Sequence, residues 1–228
     1  TSIVIPGTIV RVGDYAFQAS QLTSVTFTEG DEYTKAVLGN CVFEDCKMLE
    51  CVELSENITT IGFRMIYGTK VASITVPKNV KSWNSVSGIG ALGGCKYLKE
   101  IIFEEGTKEI SDLIASGAKN LEKVVIPKSV KRISNGAFSG TEQLKQIMLP
   151  DSLTEIGSDA FYGSGLTSIV IPQSIVSVDD GAFGSNRQLI EVNFVNGDKK
   201  TKVTLGNSVF ENCEELKNVK LSQNIVII

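Results

Sequence analysis

The chain has 228 residues, a formal net charge of -4 at pH 7 and 42% hydrophobic residues, which is enough apolar material for a packed core. It contains no histidine, which excludes Ser-His-Asp and Cys-His catalysis and every metal site that needs an imidazole ligand. The sequence has no basic block, so nucleic-acid binding is not expected. No apolar stretch approaches the roughly 18 residues of a membrane-spanning helix.

Ten short β-type phrases recur along the chain, and each ends on a large apolar residue. A regular period of about this length predicts a solenoid, in which each repeat forms one turn and stacked neighbours bury a continuous core. We therefore expect residues 1–228 to form a single solenoid of about ten repeats of 22–27 residues. The final residues of the phrases are Ile5, Phe27, Leu54, Val76, Phe103, Ile126, Leu149, Ile171, Phe194 and Leu221.

Each repeat continues after its strand in the same order. In the sixth repeat two apolar residues, Val130 and Ile133, are followed by the pair Ala137-Phe138 and then by Leu144. No segment keeps apolar residues at helical spacing over three turns, so long helices are not expected. Phenylalanines in the Ala-Phe slot are predicted to stack as an internal aromatic column. They are Phe17, Phe43, Phe138, Phe161, Phe183 and Phe210.

The strand signature L-x-x-V-x-I, as in Leu121–Ile126 and Leu166–Ile171, resembles the strand of leucine-rich repeats. The longer phrase, strand–Pro–x–S–V–x–x–I–G–x–x–A–F–x–x–C–x–x–L, is similar to the BspA-like leucine-rich repeats of bacterial and protozoan cell-surface proteins. This resemblance implies a mostly β, right-handed leucine-rich-repeat solenoid. Short parallel strands are expected on its concave face, with turns or 3-10 segments on the convex side. Repeats four and five, Val76–Leu121, fit the pattern poorly.

The resemblance also implies a function, because proteins of this family are mostly secreted or displayed at the cell surface. Several are associated with adhesion. We therefore expect a non-enzymatic, extracellular or surface-displayed module without a cofactor, whose partner is a host matrix, plasma or cell-surface protein. The alternative is an architectural spacer with no binding role of its own. Since no polar capping repeat closes either end, we expect the sequence to be a fragment of a longer array.

One column of the strands predicted on the concave face points to solvent, because side chains alternate between the two faces of a strand. From the fifth to the eighth repeat this column is apolar and spans about 14 Å at the usual strand spacing. A contiguous apolar strip is a candidate protein-contact surface, whereas the alternative is that β-branched residues simply favour strands. The stripe consists of Ile102, Val125, Met148 and Val170.

Residues 27–61 and 194–228 align without a gap, and both copies contain an insertion that starts with Gly-Asp. The alternating residues that follow predict a hairpin projecting from the solenoid. Each protrusion is interpreted either as a binding element or as a duplicated feature without a binding role. The acidic residues of the first copy could suggest a calcium site, but lysines interrupt the acidic cluster in the second copy and argue against it. The candidate residues are Asp31, Glu32, Tyr33, Asp198, Lys199 and Lys200.

The five cysteines are interpreted as free and mostly structural thiols, and an odd number cannot all pair internally. Cys46, Cys95 and Cys213 share a slot that elsewhere holds small residues, often able to hydrogen-bond a buried turn carbonyl. Cys51 takes an outward strand position and Cys41 precedes an apolar pair, so both are candidates for partial exposure. The spacing supplies no four convergent zinc ligands.

Overall fold

The computed structural model describes residues 1–31, 33–83, 88–197 and 202–227. Within these segments the chain forms short β-strands joined by turns and contains no helix. The strands are β1 (Ser2–Ile5), β2 (Arg11–Val12), β3 (Ser24–Phe27), β4 (Ala36–Leu38), β5 (Cys51–Glu53), β6 (Ile58–Ile61), β7 (Ser73–Val76), β8 (Ser82–Trp83), β9 (Glu100–Phe103), β10 (Glu109–Ile110), β11 (Lys123–Val125), β12 (Arg132–Ile133), β13 (Glu155–Ile156), β14 (Ser168–Ile171), β15 (Ser177–Val178), β16 (Glu191–Phe194), β17 (Val203–Leu205), β18 (Asn218–Lys220) and β19 (Ile225–Ile227).

Every strand pair in the described segments is parallel and joins positions one repeat apart, as in Ile3 opposite Val25 and Val25 opposite Val52. The result is a β-solenoid of about nine turns, which confirms the predicted architecture. The strands of the L-x-x-V-x-I phrase form one layer, here called the front sheet, and the second strand of each turn lies in the back sheet. The front sheet contains β1, β3, β5, β7, β9, β11, β14, β16 and β18, and the back sheet contains the others.

Hydrogen bonding between successive turns is interrupted in both sheets. The front sheet divides into the groups β1-β3-β5, β7-β9-β11 and β14-β16-β18. Among the described strands, the back sheet forms two hydrogen-bonded groups, β2-β4-β6-β8 and β10-β12-β13-β15-β17-β19. Parallel strands satisfy their backbone groups through their neighbours, so each interruption leaves strand edges without a partner.

A single hydrophobic cluster extends through the stack from Ile5 to Val209. The inward residues of the front strands belong to it, for example Ile101 and Ile169. The residues that alternate with them along each strand face outward. Burying one such side chain contributes about 1.5–3 kcal/mol. Because each turn covers the apolar face of the next, the cluster exists only in the assembled stack.

The predicted aromatic column is present, but as two separate stacks. Phe17 and Phe43 stack with their ring centroids 5.6 Å apart. Ile66, Leu92 and Ala115 take the equivalent slots of the three turns that follow, and they interrupt the column. The second stack has centroid separations of 5.4 to 5.8 Å and contains Phe138, Phe161, Phe183 and Phe210.

The small residue three positions after the aromatic slot hydrogen-bonds to buried turn carbonyls, as the sequence predicts. Cys46 Sγ donates to the carbonyl oxygen of Phe17 at 2.9 Å. The side-chain amide of Asn186, which is fully buried, donates to the carbonyl oxygens of Phe161 and Phe183 at 2.7 and 2.8 Å. The bonds to Phe17 and Phe161 link one turn to the next, whereas the bond to Phe183 lies within a turn. Losing any of them would leave a buried carbonyl unsatisfied.

Replacing Phe161 with alanine should lower the free energy of unfolding by about 3–5 kcal/mol, because its ring is fully buried between two stacked neighbours. Urea denaturation followed by circular dichroism measures the change. In the Phe161→Leu variant the leucine side chain fills most of the volume of the ring, so the free energy of unfolding should fall by less than half as much as in the alanine variant. Equal losses in the two variants would contradict a packing role for the ring.

Candidate protein-contact surface

The predicted apolar stripe lies on the outer face of the front sheet. Val125, Met148 and Val170 are 37%, 89% and 55% exposed, and Ile102 is half-buried. Strand register places Ile102 opposite Val125, and Val170 opposite Asn193. Ile102 and Val125 therefore share one outward column, and Met148 lines one groove with Val125 and another with Val170 on the two sides of its own turn.

The turn that carries Met148 is not hydrogen-bonded into the front sheet. Among the described residues, no backbone hydrogen bond joins residues 146–149 to the strands on either side. The chain is hydrogen-bonded to the following turn just before this segment, where the Thr167 N–H donates to the Lys145 carbonyl at 3.1 Å. Strands β11 and β14 consequently both present an edge toward the Met148 segment, although they lie in the middle of the stack.

A groove runs along each side of Met148. The groove on the β11 side has a volume of about 190 Å³ and is lined by Val125, Ile126 and Met148 among others. The groove on the β14 side has a volume of about 370 Å³, and its lining includes Met148, Leu149 and Val170. Met148 therefore stands as a ridge between two depressions with apolar walls.

The interruption also exposes residues that are otherwise part of the core. Ile126 and Leu149 end their strand phrases and are only partly buried. Their equivalents on neighbouring turns, Phe103 and Ile171, are 3% and 0% exposed. The apolar surface is thus wider at this point than the single column that the sequence predicted.

Paired polar groups border the stripe on the side where the front strands begin. Lys123 Nζ lies 2.7 Å from Glu100 Oε1, and Ser73 Oγ donates to Glu100 Oε2 at 3.2 Å. The hydrogen bond from Lys123 lowers the pKa of the Glu100 carboxyl, so this carboxylate stays ionised to lower pH than an isolated glutamate. Charges at such a rim affect association rate and partner choice more than affinity.

The first insertion does not form the predicted hairpin. The backbone N–H groups of Tyr33 and Thr34 donate to Asp31 Oδ1 at 3.0 and 2.7 Å, and so does the Thr34 hydroxyl at 2.8 Å. The hydrogen bond from the Thr34 hydroxyl lowers the pKa of the Asp31 carboxyl most, and the two backbone N–H groups lower it further. They close a turn that returns the chain directly to β4, which pairs in parallel with β2 and β6.

The alternating residues after the first turn are therefore a back-sheet strand, because pairing with neighbouring turns replaces pairing within the insertion. Tyr33 is 81% exposed at the tip of the turn. The other four candidate residues lie outside the described part of the chain. They are Glu32, Asp198, Lys199 and Lys200.

All five cysteines are free thiols. Cys51 is exposed, as expected, but the expected partial exposure of Cys41 is wrong: its side chain is buried beneath the turn. Burial raises the pKa of Cys41 to about 11, with a further increase from Glu44, and raises the pKa of Cys95 to about 12. In the described segments, no three cysteine or acidic side chains converge as they would around a metal ion.

A protein-family model described as the BspA type leucine rich repeat region (6 copies) matches residues 1–87, 84–190 and 108–228 of the sequence. The chain belongs to this family. Repeats of this kind are generally protein-interaction modules and are typically non-enzymatic. No curated protein matches the chain closely enough to be called a relative.

Several bacterial structures share the fold. A leucine-rich repeat protein from Bacteroides ovatus superposes with a TM-score of 0.55 at 17% identity, over 100% of this chain and 82% of that one. The pneumococcal vaccine antigen PcpA gives 0.51 at 20% identity, over 100% and 78%. A leucine rich cell surface protein from Faecalibacterium prausnitzii gives 0.50 at 21% identity, over 98% and 79%. At these identities the likeness establishes the fold alone.

Among the described residues, no helix has the length and apolar character needed to cross a membrane. The sequence offered no signal for the front-sheet interruption, because the QIML segment carries the same pattern as the KVVI segment before it.

At pH 8 the native protein should react rapidly with a thiol-specific reagent at Cys51 alone. The raised pKa values of Cys41 and Cys95 keep these thiols protonated at that pH, and burial blocks access to them and to Cys46. Burial also raises the pKa of the half-buried Cys213, whose thiol donates to a backbone carbonyl, so it should react slowly. Spectrophotometric thiol counting with Ellman's reagent, before and after denaturation, measures this. The Cys51→Ser variant should lose the rapid phase, and a rapid phase that persists in it would contradict the assignment.

Proposed function

We propose that this chain is a non-enzymatic protein-binding module of a secreted or surface-displayed protein, and that it serves adhesion to host or neighbouring-cell proteins. One observation carries the proposal: an exposed apolar stripe on the front sheet is flanked by two grooves at an interruption of the sheet. A stalk that only separates other domains has no need of either feature.

The physical basis of binding is burial of apolar surface. Met148 is 89% exposed, and covering its side chain would contribute about 1.5–3 kcal/mol. Its flexible thioether adapts to different partner surfaces, and the grooves beside it can receive apolar side chains from a partner. The partly buried Ile126 and Leu149 add apolar area at the base of the grooves.

A surface location is supported by the descriptions of two proteins with the same fold. One is a leucine rich cell surface protein and the other is a vaccine antigen. The repeat family supports the more general statement that the partner is a protein. The identity of that partner, whether a matrix, plasma or cell-surface protein, is decided by experiment.

The double variant Val125→Lys/Val170→Lys should capture about tenfold less of the partner protein from serum or extracellular matrix than the unmodified protein does. Two ammonium groups would have to be desolvated in an apolar contact, and tenfold corresponds to about 1.4 kcal/mol. Immobilised protein incubated with each extract, followed by quantitative mass spectrometry, measures the loss. Both proteins should retain the same circular dichroism, since the two side chains point away from the core.

A matched control is Val10→Lys/Val176→Lys, which adds the same charge at residues that are 60% and 42% exposed outside the front sheet. This control should capture the same partner as the unmodified protein. Equal losses in both double variants would indicate a general charge effect. Undiminished capture by the front-sheet variant, or no capture by any of the three proteins, would favour the spacer alternative.

A further inference from the structure

The turn that carries Met148 is open on one side of the stack only. In the back sheet, its strand β13 pairs with both β12 and β15. In the turns that follow the back strands, the Phe138 N–H donates to the Ala160 carbonyl at 2.8 Å, and Phe161 makes the equivalent bond to the next turn. Among the described residues, only the front segment, residues 146–149, lacks such bonds to both of its neighbours.

Chain length does not cause this opening. In the front sheet, 23 residues separate Ile101 from Val124, which are paired, and 23 residues separate Val124 from Ile147, which are not. The next step, from Ile147 to Ile169, has 22 residues, as has the paired step between β1 and β3. The front sheet can therefore close at this place without any change in the length of a turn.

The residue types of the segment also permit pairing. Residues 146–149 contain neither glycine nor proline. Ile147 is 8% exposed and Met148 is 89% exposed, which is the alternation of inward and outward side chains in a strand. Pro150 follows the segment, but Pro127 follows the paired strand β11 in the same way. The segment is thus a strand in everything except its hydrogen bonds.

Closing the front sheet would change few contacts. The side chains of Ile126 and Leu149 are partly buried, and pairing would bring them toward the 3% and 0% exposure of the equivalent Phe103 and Ile171. It would also give the backbone groups of residues 146–149 partners in both neighbouring turns. The back strands and the buried turns are already bonded, so the rest of the stack would stay in place.

We propose that residues 146–149 form a switch segment with two arrangements. In the open form, which the structure shows, the segment is unpaired and a groove lies on each side of Met148. In the closed form the segment pairs with β11 and β14, the front sheet is continuous and both grooves are narrowed. A partner that fills the grooves stabilises the open form, so the switch regulates the contact surface; this last step rests on the proposed function.

An engineered disulfide tests whether the closed form exists. Lys123 and Gln146 precede the equivalent inward residues of neighbouring turns and lie outside the contact stripe. Pairing would place their Cα atoms about 4.8 Å apart, within the range that a disulfide requires. The variant Lys123→Cys/Gln146→Cys, made with Cys51→Ser, should therefore form the disulfide under mild oxidation. Amide hydrogen exchange at residues 146–149 should then be about tenfold slower in the oxidised than in the reduced protein.

The matched control is Ser24→Cys, which places a second thiol opposite Cys51 in the same position of the paired strands β3 and β5. Its disulfide should form under the same conditions and leave amide exchange at residues 146–149 unchanged. The switch is overturned if only the control disulfide forms. It is also overturned if the disulfide between residues 123 and 146 forms and amide exchange in the segment is unaltered.

Capture of a partner protein from serum or extracellular matrix then tests the regulatory step. The oxidised lock variant should capture about tenfold less partner than the same protein after reduction, whereas oxidation of the control should have no effect. Equal capture by the oxidised and reduced lock variant would overturn regulation while the exchange data still support the switch. If the unmodified protein captures nothing, the proposed function and its regulation both fail, and the switch is judged by hydrogen exchange alone.

Discussion

The hydrogen bonds and packing between successive turns are the interaction on which the whole molecule depends. One turn of about 23 residues has too little apolar surface to form a core alone, so each turn is stable only against its neighbours. Parallel pairing in the front and back sheets, stacked rings such as Phe138 and Phe161, and buried donors such as Asn186 all act across that same boundary. Stability is consequently distributed along the stack.

The candidate contact surface lies where this pairing is interrupted while packing continues. At the Met148 segment the front sheet opens and partly exposes Ile126 and Leu149. The back strands β12, β13 and β15 remain paired behind this opening, so the stack stays connected there. A regular solenoid can in this way acquire a distinct surface without losing its core.

The sequence alone was sufficient for the repeat period, the parallel strands, the inward and outward columns and the stacked phenylalanines, because periodic side chains report directly on a periodic backbone. It was misleading at the insertion after Asp31, where alternating residues indicated a hairpin and the chain instead joined the back sheet. Only the tertiary structure revealed the opening of the front sheet at the Met148 segment and the two separate aromatic stacks. Whether two turns are hydrogen-bonded depends on how they sit against each other, and the residues of a single turn do not encode that relation.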